Sequence, residues 1–202
     1  MKKQFYIIAF FLVAIMPTSF IGSYAQEKNN SNETNLTDEQ IAGFKKQAVA
    51  TVKELNDNIR TIIADRKIAP ATSNKFIGMS VKLFVSENNT VQVSSKSGRV
   101  DTIKIRTYLN RLKALSYQSV DITFYDVYLS KNFVKGDDGR YYGTATIFQR
   151  FEGRNNNELG SYSDITKKSI QLVIEKIKGN EGLTDKERWQ LKLGDINVEE
   201  TK

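Results

Sequence analysis

Cysteine and histidine are both absent from the 202 residues. Their absence excludes disulfide scaffolds, thiolate nucleophiles, Cys/His zinc sites, Ser-His-Asp triads and histidine-ligated haem. Proline is scarce, with Pro17 and Pro70 the two instances, and Trp189 is the single tryptophan. The sequence carries no phosphate-binding glycine loop, paired metal-ligand cluster or nucleophile elbow, so it implies no cofactor and no metal. What is present is ordinary for a globular chain: 40% hydrophobic and 26% charged residues. The length makes one domain the default. The formal charge is +7, but Lys2 and Lys3 belong to a leader; without residues 1–25 there remain 28 basic and 23 acidic residues, a net +5. That is no nucleic-acid footprint by itself.

The leader has the three parts of a secretory signal. Met1-Lys2-Lys3 is its positive start, Phe5 to Ile15 is an almost unbroken apolar run, and Ser23-Tyr24-Ala25 places small residues at the −3 and −1 positions before Gln26. A signal anchor is the rival reading, but Pro17 and the small-residue end favour cleavage near Ala25-Gln26. Without cysteine, a lipoprotein anchor has no attachment atom. No other stretch approaches the roughly 18 apolar residues of a spanning helix, so no stable membrane insertion is expected after cleavage. The mature chain is expected to be an exported bacterial protein, periplasmic or extracellular. The lack of thiols suits an oxidising compartment.

Gln26 to Leu36 is polar and Asn-rich and reads as a flexible linker. Thr37 with Gln40 has capping-box spacing, and Asp38 and Glu39 sit where a helix dipole favours anions. Ile41, Phe44, Ala48, Val52, Leu55, Ile59 and Ile62 then recur at spacings of three and four, which predicts a long helix ending near Arg66. Pro70 breaks the chain, and Thr72 or Ser73 caps a shorter helix over Asn74–Phe84. Val91 to Ser94 alternates as a short strand. A third helix is predicted from Asp101 or Thr102 to about Leu115. The rest reads as four long strands. Val120, Ile122 and Phe124 alternate before the phase slips to Val127 and Leu129, which predicts a bulge, and Gly194-Asp195 predicts a second. Gly136 to Gly139, Gly153 to Asn157 and Gly179 to Lys186 are the predicted connections.

Helices at the front and hairpin-linked strands at the back make an α+β fold. Three N-terminal helices are expected in the concavity of a curved, mostly antiparallel sheet of four long strands plus one short strand, as a single domain over residues 37–202. This order resembles the nuclear-transport-factor-2-like superfamily, in which a curved sheet wraps helices into a cone. The resemblance spans roughly residues 37–200 and rests on element order and bent strands rather than on a motif. It implies a pocket at the open end of the cone. Enzymes of that superfamily usually place a carboxylate or histidine base and a tyrosine donor there. The missing histidine excludes the His–Asp type of dehydratase site.

The densest polar-aromatic run is Tyr141 to Lys167. If even residues of the strand after Tyr162 face inward, Tyr162, Asp164 and Thr166 point the same way as Ile170 and Leu172, with Gln149 nearby across the hairpin. Tyr162, Asp164, Gln149 and Tyr125 are the candidate pocket lining. Asp164 reads as a ligand contact or general base; the bland alternative is a solvated strand end where it pairs with Lys167, Lys168 or Arg150. Nine tyrosines suit pockets and interfaces, and suit strands by propensity alone. The basic middle of the chain, Lys75 to Lys113, alternates with a helix's apolar face and reads as solvated surface, so no nucleic acid is expected. Two functions remain. The favoured one is a non-enzymatic binding or protein-interaction module for a protein partner or a small amphipathic ligand, with a homodimer through the sheet a further option. The alternative is a small-molecule isomerase or lyase with Asp164 as general base and a tyrosine donor.

The leader makes a direct prediction. Mature exported protein begins at Gln26, which N-terminal mass spectrometry reads; Met1 on exported protein establishes the signal anchor instead.

Overall fold

A computed structural model describes residues 35–65, 69–95, 98–156, 161–178 and 187–201. The signal segment, the linker up to residue 34 and the connection expected over Gly179–Lys186 lie outside the described residues. Helix α1 spans Asp38–Asp65. Its start is the expected capping box: the Gln40 backbone N–H donates to Thr37 Oγ1 at 3.2 Å, and the Thr37 N–H donates to Gln40 Oε1 at 2.9 Å. The linker expectation fails at its last residue. Leu36 is buried, and its N–H donates to the Tyr141 hydroxyl at 2.8 Å. It precedes the cap, where an apolar residue anchors the chain's entry into the helix.

Helix α2 spans Pro70–Lys82, four residues ahead of the expected start. Pro70 occupies the first turn, where its missing N–H costs no hydrogen bond. Ser73 is therefore not a cap; its hydroxyl donates to the Ile62 carbonyl at 3.3 Å and ties α2 to α1. Strand β1 covers Thr90–Ser94, β2 covers Val100–Lys104, and helix α3 covers Ile105–Lys113. The expected third helix began too early. Val91 pairs with Ile103 and Val93 with Asp101, so the first residues of that segment form a second short strand. An isolated apolar residue such as Ile103 fits either period, and the strand partner decides.

The long strands are β3 (Ser119–Lys135), β4 (Tyr141–Arg154), β5 (Tyr162–Lys178) and β6 (Glu187–Thr201). They form an antiparallel meander, and β1 joins β6 in parallel, giving the order β2-β1-β6-β5-β4-β3. The sheet is thus mixed and six-stranded, with two short strands rather than the one expected. The slip after Phe124 is a bulge between Tyr125 and Tyr128, with Asp126 at φ 50°. Two more irregularities follow in β3, and two lie along the β5–β6 pairing, one of them at Gly194-Asp195. Extra residues bend strands and raise their twist, which curves the sheet.

The stripe of α1 lies against one face of that sheet. Ala48, Val52, Leu55, Ile59 and Ile62 are buried with Ile122, Ala145, Ile147, Ile170, Leu172, Ile174, Leu193 and Ile196. Ile41 and Phe44, nearer the start of α1, are only partly buried. The exposed edge strand β3 is also tied to α1: Asn56 Oδ1 accepts the Phe124 N–H at 2.9 Å. Among the described residues no helix is long and apolar enough to cross a membrane.

The gradient along α1 is testable. Leu55→Ala opens a cavity in the centre of the core and should cost on the order of 2–5 kcal/mol. Phe44→Ala, at the half-covered end, should cost less than Leu55→Ala. Urea unfolding midpoints with unchanged slopes check both; equal costs would mean that the stripe is buried uniformly.

Candidate functional site

A cavity of about 310 Å³ lies between α3, the β1–β2 pair and the inner face of β3, β4 and β5. Beside it β1 and β6 pair in parallel at Val91 with Ile196. Side chains bridge the two strands. The Thr90 N–H and the Asn89 side-chain amide donate to Asp195 Oδ1 at 2.7 and 3.0 Å, and the Val198 N–H donates to Gln92 Oε1 at 2.9 Å. Lys168 of β5 completes the bridge: its ammonium donates to the Gln92 backbone carbonyl at 3.1 Å.

The apolar wall comes from Ile103, Leu112, Leu115, Ile122 and Phe151. Tyr117 extends it by lying over Gly153, where a Cβ would stand 2.7 Å from the ring. Its ring meets Phe151 edge-on at 5.8 Å, and Phe151 in turn meets Tyr162 at 5.8 Å. The aromatic row therefore needs glycine at position 153.

The polar wall is Asp164 and its neighbours. Asp164 is 9% exposed. Its Oδ2 accepts the Tyr162 hydroxyl at 2.7 Å, whereas its Oδ1 is buried without a hydrogen-bond partner among the described residues. Three groups register the carboxylate. Burial, helped by the bond to Asp164, pushes the Tyr162 phenol up to about 12. Burial first, and the Asp164 charge second, raise the Tyr108 phenol further. Burial pulls the Lys168 ammonium down to about 8 against the pull of Asp164 in the other direction. Lys168 is 2% exposed and forms no ion pair within 4 Å among the described residues.

Of the four sequence-derived candidates, Tyr162, Asp164 and Gln149 line this cavity. Tyr125 does not. It pairs across strands with Phe148, on which its ring stacks at 5.7 Å, and the Arg150 guanidinium sits 5.8 Å above it. Phe148 and Arg150 flank Gln149 in sequence, so strict alternation puts them and Tyr125 on the opposite face. Two of the three partners proposed for a solvated Asp164 are likewise elsewhere: Arg150 is on that far face, and Lys167 pairs with Glu199 at 2.8 Å, while Lys168 lines the cavity without an ion pair to Asp164 within 4 Å. Sequence reasoning names Lys168 only as an ion-pair partner for Asp164 and misses it, with Tyr108, Arg111 and Ser94, as cavity lining. For Lys168 the signal was available, since it continues the even phase of Tyr162, Asp164 and Thr166 into Ile170. The other three depend on how α3 and β1 fold over the sheet. Arg111 is exposed at the cavity, and Ser94 Oγ stands 3.4 Å from Thr166 Oγ1. Among the described residues no three acidic side chains converge as a metal site would require.

No family model matches the chain, and no curated protein matches it. Among solved structures, a "Putative Scytalone Dehydratase" from Novosphingobium aromaticivorans DSM 12444 is similar at 9% identity and a TM-score of 0.44, covering 81% of this chain and 90% of its own.

Lys168 should leave a mark on the pH dependence of stability. It holds its proton less tightly folded, at about 8, than unfolded, at the ordinary 10.5. Between those values the unfolded chain carries more protons, so this group's contribution rises with pH. The gain from pH 8 to 9.5 should be about 1–2 kcal/mol, ahead of the pH at which Tyr162 begins to count. Denaturant titrations of the native chain and Lys168→Met should show the rise in the first and its loss in the second.

Proposed function

We propose that this chain is an exported, non-enzymatic binding module of the nuclear-transport-factor-2-like class, and that the cavity beside α3 takes a small amphipathic molecule. One observation carries the reading. Asp164 Oδ1 is a buried carboxylate oxygen without a partner among the described residues. Such an atom gives up hydration for nothing unless something else supplies a donor. A ligand hydroxyl, amide or ammonium supplies it, while the apolar wall of Ile103, Leu112, Leu115 and Phe151 covers the rest of the molecule. The volume of about 310 Å³ lies at the small end of ligand cavities. The element order and the bulged, curved strands support the superfamily reading, and the leader sequence supports export.

A second reading, an isomerase or lyase with Asp164 as general base, draws on the same free oxygen. The hydrogen bond from Tyr162 weighs against it. That bond occupies the Tyr162 phenol, which such a reaction needs as a donor to the substrate.

The test is an NMR screen of small amphipathic alcohols and amines against labelled protein. Binders should perturb Tyr108, Tyr162 and Lys168. Asp164→Asn should be at least as stable as the native chain, because it removes a costly buried charge, and should weaken those binders about tenfold or more. Perturbations confined to the Tyr125–Phe148 face overturn the cavity reading. Turnover of a binder, abolished by Asp164→Asn, establishes the enzyme instead.

A further inference from the structure

We propose that Lys168 is a covalent site, binding small apolar aldehydes or ketones as a reversible Schiff base inside the cavity. The inference rests on the reading of that cavity as a small-molecule site and names the functional group it selects. Lysine acts as a nucleophile when burial makes its ammonium costly, because the neutral amine is the reactive form. Lys168 meets that condition by position. It is 2% exposed, it lines the cavity, and a single neutral carbonyl, that of Gln92, is its hydrogen-bond partner among the described residues. No carboxylate within ion-pair distance fixes it as a cation among the described residues. A structural lysine that only bridged β1 to β5 would have no need of a free carboxylate oxygen in the same cavity, yet Asp164 Oδ1 is there.

The chemistry balances with these residues. The neutral amine attacks the carbonyl carbon, forming the N–C bond as the C=O π pair moves to oxygen. The nitrogen gives up a proton and that oxygen gains one, both exchanged with solvent at the cavity mouth. The resulting carbinolamine loses its hydroxyl as water, and the C=N bond forms. One water is released and neither an oxidant nor a reductant is consumed. Hydrolysis reverses each step. The titratable and charged groups that face Lys168 in the cavity are Asp164 and Tyr162 of β5, Tyr108 and Arg111 of α3, and Tyr117. Asp164 is the anion among them. The lowering of the Lys168 ammonium to about 8 leaves a useful fraction of amine near neutral pH. Exposed lysines such as Lys46 and Lys53 on α1 provide the internal reference.

The experiment treats the full chain with cinnamaldehyde and sodium cyanoborohydride, which reduces the imine to a stable amine. Peptide mapping should find Lys168 labelled at least tenfold faster than Lys46 or Lys53, with a rate that rises between about pH 7 and 8.5 and then levels. Asp164→Asn removes the charge that holds the Lys168 ammonium up, so labelling at Lys168 should set in at lower pH while Lys46 is unchanged. Lys168→Arg keeps the cation and the donor to Gln92 but forms no imine; it should lose the fast label yet still bind cinnamyl alcohol by NMR. Labelling spread evenly over exposed lysines overturns the proposal. If cinnamyl alcohol binds in the cavity while Lys168 stays unlabelled by the aldehyde, covalent capture fails and the binding reading stands. If neither probe enters the cavity, both fail together.

Discussion

The contact beside which the site is built is a short ladder: β1 and β6 pair in parallel at Val91 and Ile196. A ladder that short leaves backbone groups in need of other partners. Here side chains from three strands supply them. Asp195 takes the Thr90 N–H, Gln92 takes the Val198 N–H with its side chain, and Lys168 fills the carbonyl of Gln92. The cavity lies on the β1 side of this bridge, between α3 and the inner face of the sheet.

The electrostatic character of the cavity follows from that geometry. Lys168 is drawn to the Gln92 carbonyl, so it is spent on β1 rather than on Asp164. Asp164 is left with one phenol for two oxygens. Each group is therefore half-satisfied in an apolar surround, where unsatisfied charge is most costly. A protein that needed only stability would place an apolar pair at these two inward positions of β5.

The sequence specified the elements better than their partners. The α1 stripe, the capping box and the bulge at Asp126 are local patterns that fix their own structure, and each was legible. The β2 strand was not, because five residues with a helix start nearby carry no period of their own and acquire one from β1. Within the site the inward phase of β5 was legible through Tyr162, Asp164 and Ile170. Lys168 breaks the apolar pattern of that phase and reads from sequence as a surface ion-pair partner, although a lysine between Thr166 and Ile170 is itself a sign of burial with purpose. Tyr125 failed for a different reason: an aromatic next to a bulge cannot be assigned a face until the register across the hairpin is known, and pairing with Phe148 turns it outward.

The irregular course of β3 has a consequence beyond the curvature it imposes. This strand is an outer edge of the sheet, and a straight edge is an open template for a strand from another molecule. Its regular stretch runs from Ser119 to Tyr125, and there α1 reaches over it, with Asn56 occupying the Phe124 N–H. Beyond Tyr125 the pairing shifts three times, and Lys131 and Lys135 stand exposed along the same stretch. An incoming chain would find its amide rhythm interrupted where the edge is bare and its donor taken where the edge is regular. Such interruptions make the edge a poorer template for strand addition.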